Sequence, residues 1–305
     1  MREYLMGHRS KSRTPRGWIK ICGIMSAADA HLAVELGANA LGFIFAPESP
    51  RKIEPELAAA IVAGLPSSVR TVGVFTQTEG KQIVELARAA RMDTLQLHSD
   101  AIRPDDEALR GFPLIKVLQL PRAGAEKIDH AALAAEARPW VDLVDVFLLD
   151  TRREHRIGQG LTFDWELARG LHLGRPWLAG GGLRPDNVAL AIATLNPWGV
   201  DVASGVEREL GVKDDEKLRD FMVNARISFA RPLRRITRKR APRPEPVAYV
   251  ERLVKGENIK PIPVYPPSRV TSNAGRPRLR RRRPEEIEAE FAAARQNQKA
   301  PGGSA

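Results

Sequence analysis

The sequence predicts a single (β/α)8 barrel of the TIM type, followed by a basic, disordered C-terminal extension. From Trp18 to about residue 230, short β-rich runs alternate with amphipathic helical patterns. The runs number eight, each ending in a polar or glycine-bearing loop. They are also almost continuously apolar, which suits strands buried on both faces, paired in parallel and covered by helices. An open doubly wound sheet is the alternative architecture, and a count of eight favours closure.

The elements follow in order. Strands are expected at 19–22, 40–45, 70–75, 94–98, 114–120, 146–150, 176–179 and 199–203. Between them, apolar residues recur at three- and four-residue spacing, as in Ala30, Val34 and Leu36 or Ile83, Leu86, Ala87 and Ala90. Proline marks helix starts: Glu54 and Pro55 open one helix, and Arg184, Pro185 and Asp186 precede another at 187–195. Eight strand–helix units are therefore expected.

Charge sets the domain limits. The whole chain carries 48 Lys+Arg against 37 Asp+Glu, a net +11. Residues 17–225 hold 23 basic against 29 acidic side chains, whereas residues 226–305 hold 20 against 7 and residues 1–16 hold 5 against 1. The excess is thus at the ends, and the overall charge says little about what the central domain binds. Three regions result: a basic N-terminal extension at 1–16, a barrel at 17–230 and an Arg/Pro-rich tail at 231–305. The tail peaks at Arg280, Arg281, Arg282 and Arg283, and its composition cannot bury much apolar surface, although the residues after Pro284 suit one short helix. A polyanion such as nucleic acid is a possible partner for it through phosphate contacts. Near-absence of aromatic residues for stacking weighs equally for a solvated extension without a partner.

One cysteine in 305 residues excludes an internal disulfide framework and a multi-cysteine zinc site, and points to a reducing compartment. No apolar run has the length to span a bilayer, and the N-terminus lacks the apolar core of a secretory signal. Residues 1–16 bear only a weak likeness to an organelle-targeting leader, so a cytoplasmic protein is expected, as monomer or homodimer.

Two strand ends carry chemistry. Cys22 closes the first strand and Asp150 the sixth. Alternation places Lys20 with Cys22, and Leu148 with Asp150, on common faces. If those faces are interior, a thiol and a carboxyl group emerge at the mouth, where barrel enzymes hold their reactive groups. They can then serve as general base and acid, and a neighbouring ammonium would favour the thiolate. A lone buried cysteine is also a common packing residue, and an aspartate a common helix cap.

Arg51, after the second strand, offers a forked guanidinium for a planar carboxylate, or else a surface ion pair. Gly180, Gly181 and Gly182 follow strand seven, and Ser204 and Gly205 follow strand eight. Loops in those two places form the common phosphate site of such barrels, with Gly181, Gly182, Ser204 and Gly205 as the candidates. Gly158 and Gly160 suit a flap over the mouth or a plain turn. His98 either bonds substrate or ties down its loop.

Taken together, the segments resemble the phosphoribosylanthranilate isomerase family of tryptophan biosynthesis. The matching stretches are IKICGI at 19–24, GFIFAPESPRKI at 42–53, VGVF at 72–75, LQLH at 95–98, FLLDT at 147–151, GQGLTFDW at 158–165, LAGGGLRPDNV at 178–188 and GVDVASGVE at 199–207. The resemblance implies an Amadori rearrangement of N-(5-phosphoribosyl)anthranilate, without metal or cofactor, by general base Cys22 and general acid Asp150. It also implies that Arg51 takes the anthranilate carboxylate and that Asp150 has a raised pKa. Ser99, Met25, Ile157, Gln159 and Ala203 depart from the family pattern without removing an acid, a base or the carboxylate clamp. Two other readings stay open: a different phosphosugar isomerase, although those of the histidine pathway use two carboxylates, and a nucleic-acid binder with the barrel as scaffold.

Overall fold

The computed structural model describes residues 16–121, 128–151 and 164–230. Eight parallel strands close into a barrel in sequence order: β1 (Trp18–Cys22), β2 (Ala40–Ile44), β3 (Arg70–Phe75), β4 (Thr94–Leu97), β5 (Leu114–Leu120), β6 (Val146–Thr151), β7 (Trp177–Ala179) and β8 (Gly199–Val202). The expected strands agree with these to within one residue at each end. The register of Lys20 opposite Asp201 and Ile21 opposite Val202 seals β8 to β1. That pairing excludes the open sheet.

Helices α1 (Ala27–Glu35), α2 (Pro55–Ala63), α3 (Gly80–Ala89), α4 (His130–Ala137), α5 (Val188–Leu195) and α6 (Asp215–Ala230) pack outside. Their starts have local causes. The Ser26 hydroxyl accepts the Asp29 N–H at 3.1 Å to cap α1. Pro55 opens α2, where its missing N–H costs nothing. Asn187 is the cap of α5, one position outside the helix expected at 187–195. Its side chain accepts the Arg184 N–H at 2.8 Å and donates to the Gly182 carbonyl at 3.0 Å.

The expectation of a helix in every unit is corrected. After β4 the connection holds only a 3-10 turn, Glu107–Leu109. Pro104, Gly111 and Pro113 leave too little uninterrupted chain there for an α-helix. Among the described residues after β6 there are turns at 165–170 and no α-helix. A second unexpected feature is a hairpin between β8 and α6, formed by β9 (Glu207–Glu209) and β10 (Val212–Lys213). Gly211 turns it with a φ of +78°, a conformation that glycine adopts at little cost.

Alternation sorts the strand side chains into two layers. Ile19, Phe43, Leu95, Phe147 and Leu149 face outward into the core shared with the helices. Ala40, Val72, Ile115, Val117, Val146, Leu148 and Leu178 fill the interior, with Trp18 and Trp198 packed against them. The two indoles stack at 5.4 Å between ring centroids. Toward the carboxyl ends of the strands the inward residues turn polar: Lys20, Gln96 and Asp150 are all buried. Only one end of the interior is therefore equipped for chemistry.

Gly42 permits that equipment. It lies opposite Cys22 in the β1–β2 register, and a Cβ there would stand 2.7 Å from Cys22 Sγ and 2.9 Å from Lys20 Nζ. Gly42→Ala is expected to destabilise the fold by about 1–3 kcal/mol through overpacking, read as a lower urea midpoint at unchanged m-value. An unchanged midpoint would mean that the interior has slack at this level.

Candidate active site

A cavity of about 380 Å³ opens at the carboxyl ends of the strands. Of the candidates from sequence, Cys22, Arg51, His98 and Asp150 line it, joined by Gln96, Gln119 and Asp201. Thiol and acid thus face one space from β1 and β6. Both side chains sit where alternation at a strand end directs them inward.

Beneath Cys22 lies a buried ion pair, Lys20 Nζ to Asp201 Oδ1 at 2.8 Å, joining β1 to β8. Burial alone would lower the Lys20 pKa, but the Asp201 carboxylate and Cys22 beside it raise it to about 12. For Cys22 burial is the largest influence and prevails, pushing the thiol above the ordinary 9.0, while Lys20 pulls it back and Asp201 adds to the rise. The ammonium anticipated beside the thiol is Lys20, and its effect is outweighed by desolvation.

Arg51 is 4% exposed and holds a carboxylate of its own chain. Its Nε donates to Glu207 Oε1 at 2.8 Å and its Nη2 to Oε2 at 2.7 Å, a side-on pair between the β2 loop and the hairpin. An ion pair is thus present, but the surface pair weighed from sequence is corrected: the contact is buried and bidentate. The geometry still leaves the guanidinium a second, end-on edge, formed by Nη1 and the other Nη2 proton. Burial would raise the Glu207 carboxyl, but Arg51 and Lys213 reverse that and hold it below the usual glutamate range.

His98 Nε2 lies 2.9 Å from Gln96 Nε2, so the amide donates and the imidazole accepts at that nitrogen. Gln96 is 1% exposed, and its Oε1 has no hydrogen-bond partner. An acceptor of this kind at a cavity wall can be met by a ligand donor or by water.

The glycine loops stand beside the cavity and are not among the residues lining it. Gly181 and Gly182 have φ of +71° and +68°. A Cβ on Gly181 would meet Asp150 Oδ1 at 2.8 Å and Thr151 N at 2.7 Å, so the β7 loop presses on the acid at the end of β6. The Thr151 N–H donates to Asp150 Oδ1 at 2.8 Å. Ser204 and Gly205 lie in a 3-10 turn, Ser204–Val206, and Gly205 abuts the Leu183 backbone, which brings the two loops together. Gly158 and Gly160 lie outside the described residues, as do the departures Ile157 and Gln159 and the tail with its polyanion expectation.

Gln96, Gln119, Asp201, Glu207 and Lys213 were not singled out from sequence. The first three could have been: each is a polar residue in phase with the inward face of its strand. Among the described residues no group of His, Cys, Asp and Glu suits a metal ion, and no helix is long and apolar enough to cross a membrane.

The model of the N-(5'-phosphoribosyl)anthranilate isomerase family matches residues 19–224. The isomerase of Geobacter metallireducens is 40% identical over 210 residues, covering 68% of this chain and 98% of the relative. The crystal structure of the Thermotoga maritima enzyme aligns with a TM-score of 0.60 at 35% identity, over 68% of this chain and 98% of that one. A further structure of such an isomerase, in complex with reduced 1-(o-carboxyphenylamino)-1-deoxyribulose 5-phosphate, aligns at 0.56 and 34% identity, over 68% and 98% of the two chains.

The titration of Cys22 follows from its surroundings. Its alkylation by iodoacetamide is expected to keep accelerating with pH beyond 9.0 instead of levelling off there, because the thiolate is the reactive form and burial raises the pH at which it becomes the major one. Lys20→Met should move that profile further upward, since it removes a positive charge and leaves Asp201 unopposed. A profile that stays put or moves down would refute the coupling.

Proposed function

The chain belongs to the N-(5'-phosphoribosyl)anthranilate isomerase family, and from that premise we propose that it performs the Amadori rearrangement of N-(5-phosphoribosyl)anthranilate with Cys22 as general base and Asp150 as general acid. It is an isomerase of tryptophan biosynthesis on a TIM barrel. The observation that carries the finer reading is that Cys22 and Asp150 line one cavity from β1 and β6, together with the Arg51 guanidinium.

In this reading Asp150, protonated, gives its proton to the ribose ring oxygen. The ring C–O bond breaks as the anilinic nitrogen forms a Schiff base with C1. The Cys22 thiolate, the minor form at neutral pH because burial raises the thiol, then removes the proton from C2, and the electron pair of that C–H bond neutralises the iminium to give an enolamine. Transfer of the hydroxyl proton on C2 to C1 yields the 1-deoxyribulose 5-phosphate product. One proton has then moved from Asp150 to Cys22, and exchange with solvent resets the pair. No redox step and no external nucleophile is needed, so two titratable groups suffice.

The remaining residues bind. The end-on edge of Arg51 takes the anthranilate carboxylate, a match of two N–H donors to two oxygens. Gln96 Oε1 accepts a hydrogen bond from a ribose hydroxyl, which supplies its missing partner. Backbone N–H groups of Gly181, Gly182, Ser204 and Gly205 cradle the phosphate where the β7 and β8 loops touch. The likeness to a structure that holds a reduced product analogue supports a ligand of this shape. A cytoplasmic setting belongs to the same reading, supported by a cysteine usage that leaves no disulfide framework.

Cys22→Ser and Asp150→Asn are each expected to lower turnover by about 10²–10⁴-fold with the circular dichroism spectrum unchanged, as the loss of one general acid or base does. Neither should restore growth of a tryptophan auxotroph that lacks this isomerase, whereas the unaltered chain should. Near-normal turnover by either variant would overturn the acid–base assignment, and failure of the unaltered chain would overturn the reaction.

A further inference from the structure

Glu207 and Lys213 stand directly behind the groups assigned above. They are partners across the β9–β10 hairpin, so their side chains share one face. Lys213 is fully buried, and its ammonium donates to the Cys22 carbonyl at 2.7 Å, the Ala203 carbonyl at 3.1 Å and Glu207 Oε1 at 3.1 Å. Those three acceptors use all three of its protons. Glu207 in turn receives Nε and Nη2 of Arg51. One short hairpin therefore ties the end of β1, the end of β8 and the loop after β2 into a single unit.

The arrangement also has a charge consequence. Arg51 and Lys213 bring two positive charges to Glu207, which carries one negative charge. These three side chains by themselves sum to one positive charge, which the buried Asp29 carboxylate beside Lys213 offsets in part. A ligand carboxylate on the end-on edge of Arg51 balances the rest, and a neutral ring does not.

We propose that Glu207 and Lys213 are positioning residues for substrate-carboxylate recognition: Glu207 fixes Arg51 side-on so that its end-on edge meets the ligand, and Lys213 locks Glu207 to the backbone of Cys22 so that clamp and base keep a constant separation. The proposal rests on the isomerase reading and deepens it. Arg51 contacts the ligand; Glu207 and Lys213 act through it.

Two physical effects compete when Glu207 is neutralised, which makes the outcome informative. Loss of orientation weakens carboxylate binding, because the guanidinium no longer presents a fixed fork. Loss of a negative charge strengthens it, because the cluster becomes more positive. The positioning role requires the first to win.

The test compares two ligands by titration calorimetry on the full chain: reduced 1-(o-carboxyphenylamino)-1-deoxyribulose 5-phosphate and its phenylamino counterpart without the ring carboxylate. Glu207→Gln is expected to weaken the carboxylate-bearing ligand about 10–100-fold, the scale of a charge-assisted hydrogen bond, and to leave the other within about twofold. Equal losses would mark Glu207 as merely structural, and unchanged or tighter binding would mark it as a charge moderator; either overturns the proposal. Should Glu207→Gln fail to fold, Glu207→Asp keeps the charge but withdraws the carboxylate by one methylene, and a loss confined to the carboxylate-bearing ligand then supports the proposal, whereas equal losses or unchanged binding overturn it. An unaltered chain that binds neither ligand overturns the isomerase reading and this inference with it, whereas normal binding there with an unaffected variant overturns the inference alone.

Discussion

Closing eight parallel strands into a ring leaves an interior that must be filled by every second side chain of every strand. Everything else in this molecule depends on how that space is divided along its axis. At the amino ends the filling is Val, Ile, Leu and the paired indoles of Trp18 and Trp198. At the carboxyl ends the same alternation delivers Lys20, Cys22, Gln96, Asp150 and Asp201. A dry plug below and a polar chamber above are two halves of one pattern, and the plug gives the chamber its low-dielectric floor.

Ionic groups in such surroundings must be matched, since an isolated buried charge costs several kcal/mol even after relaxation. Lys20 is matched by Asp201, Lys213 by Glu207 and two backbone carbonyls, and Arg51 by Glu207. These contacts are weak grounds for claiming stability, because desolvation offsets much of the attraction. What they supply is fixed direction. Each cation has at least one partner remote in sequence, and for Arg51, the one that lines the cavity, this means that its reach is set by the barrel and not by its own flexible stem.

The fold was legible because its signals are local: apolar runs between glycine and proline breaks gave all eight strands nearly to the residue. Pro55 and Ser26 mark helix starts by chemistry confined to a single turn. The helix count was overread because periodicity counts apolar residues and does not measure whether Pro104 and Pro113 leave room for a helix between them. For the site, the strand-end residues Cys22 and Asp150 were legible by position in the strand. Glu207 and Lys213 were not, because on paper they are two charges in a polar loop, and nothing local says that a hairpin will fold them inward. Arg51 falls between: its chemistry was readable, but its partner lies 156 residues away.

That long reach bears on how the molecule comes into being. Lys20 meets Asp201 across 181 residues, and Lys213 meets the carbonyl of Cys22 across 191. During synthesis the chain emerges from its amino end, so β1 and β2 exist long before their counter-ions do. Until β8 and the hairpin arrive, Lys20 and Arg51 have no native counter-charge, and burying them is unfavourable. The early strands therefore gain little from collapsing into a premature half-ring, and completing the circle satisfies the cations and assembles the chamber in one event.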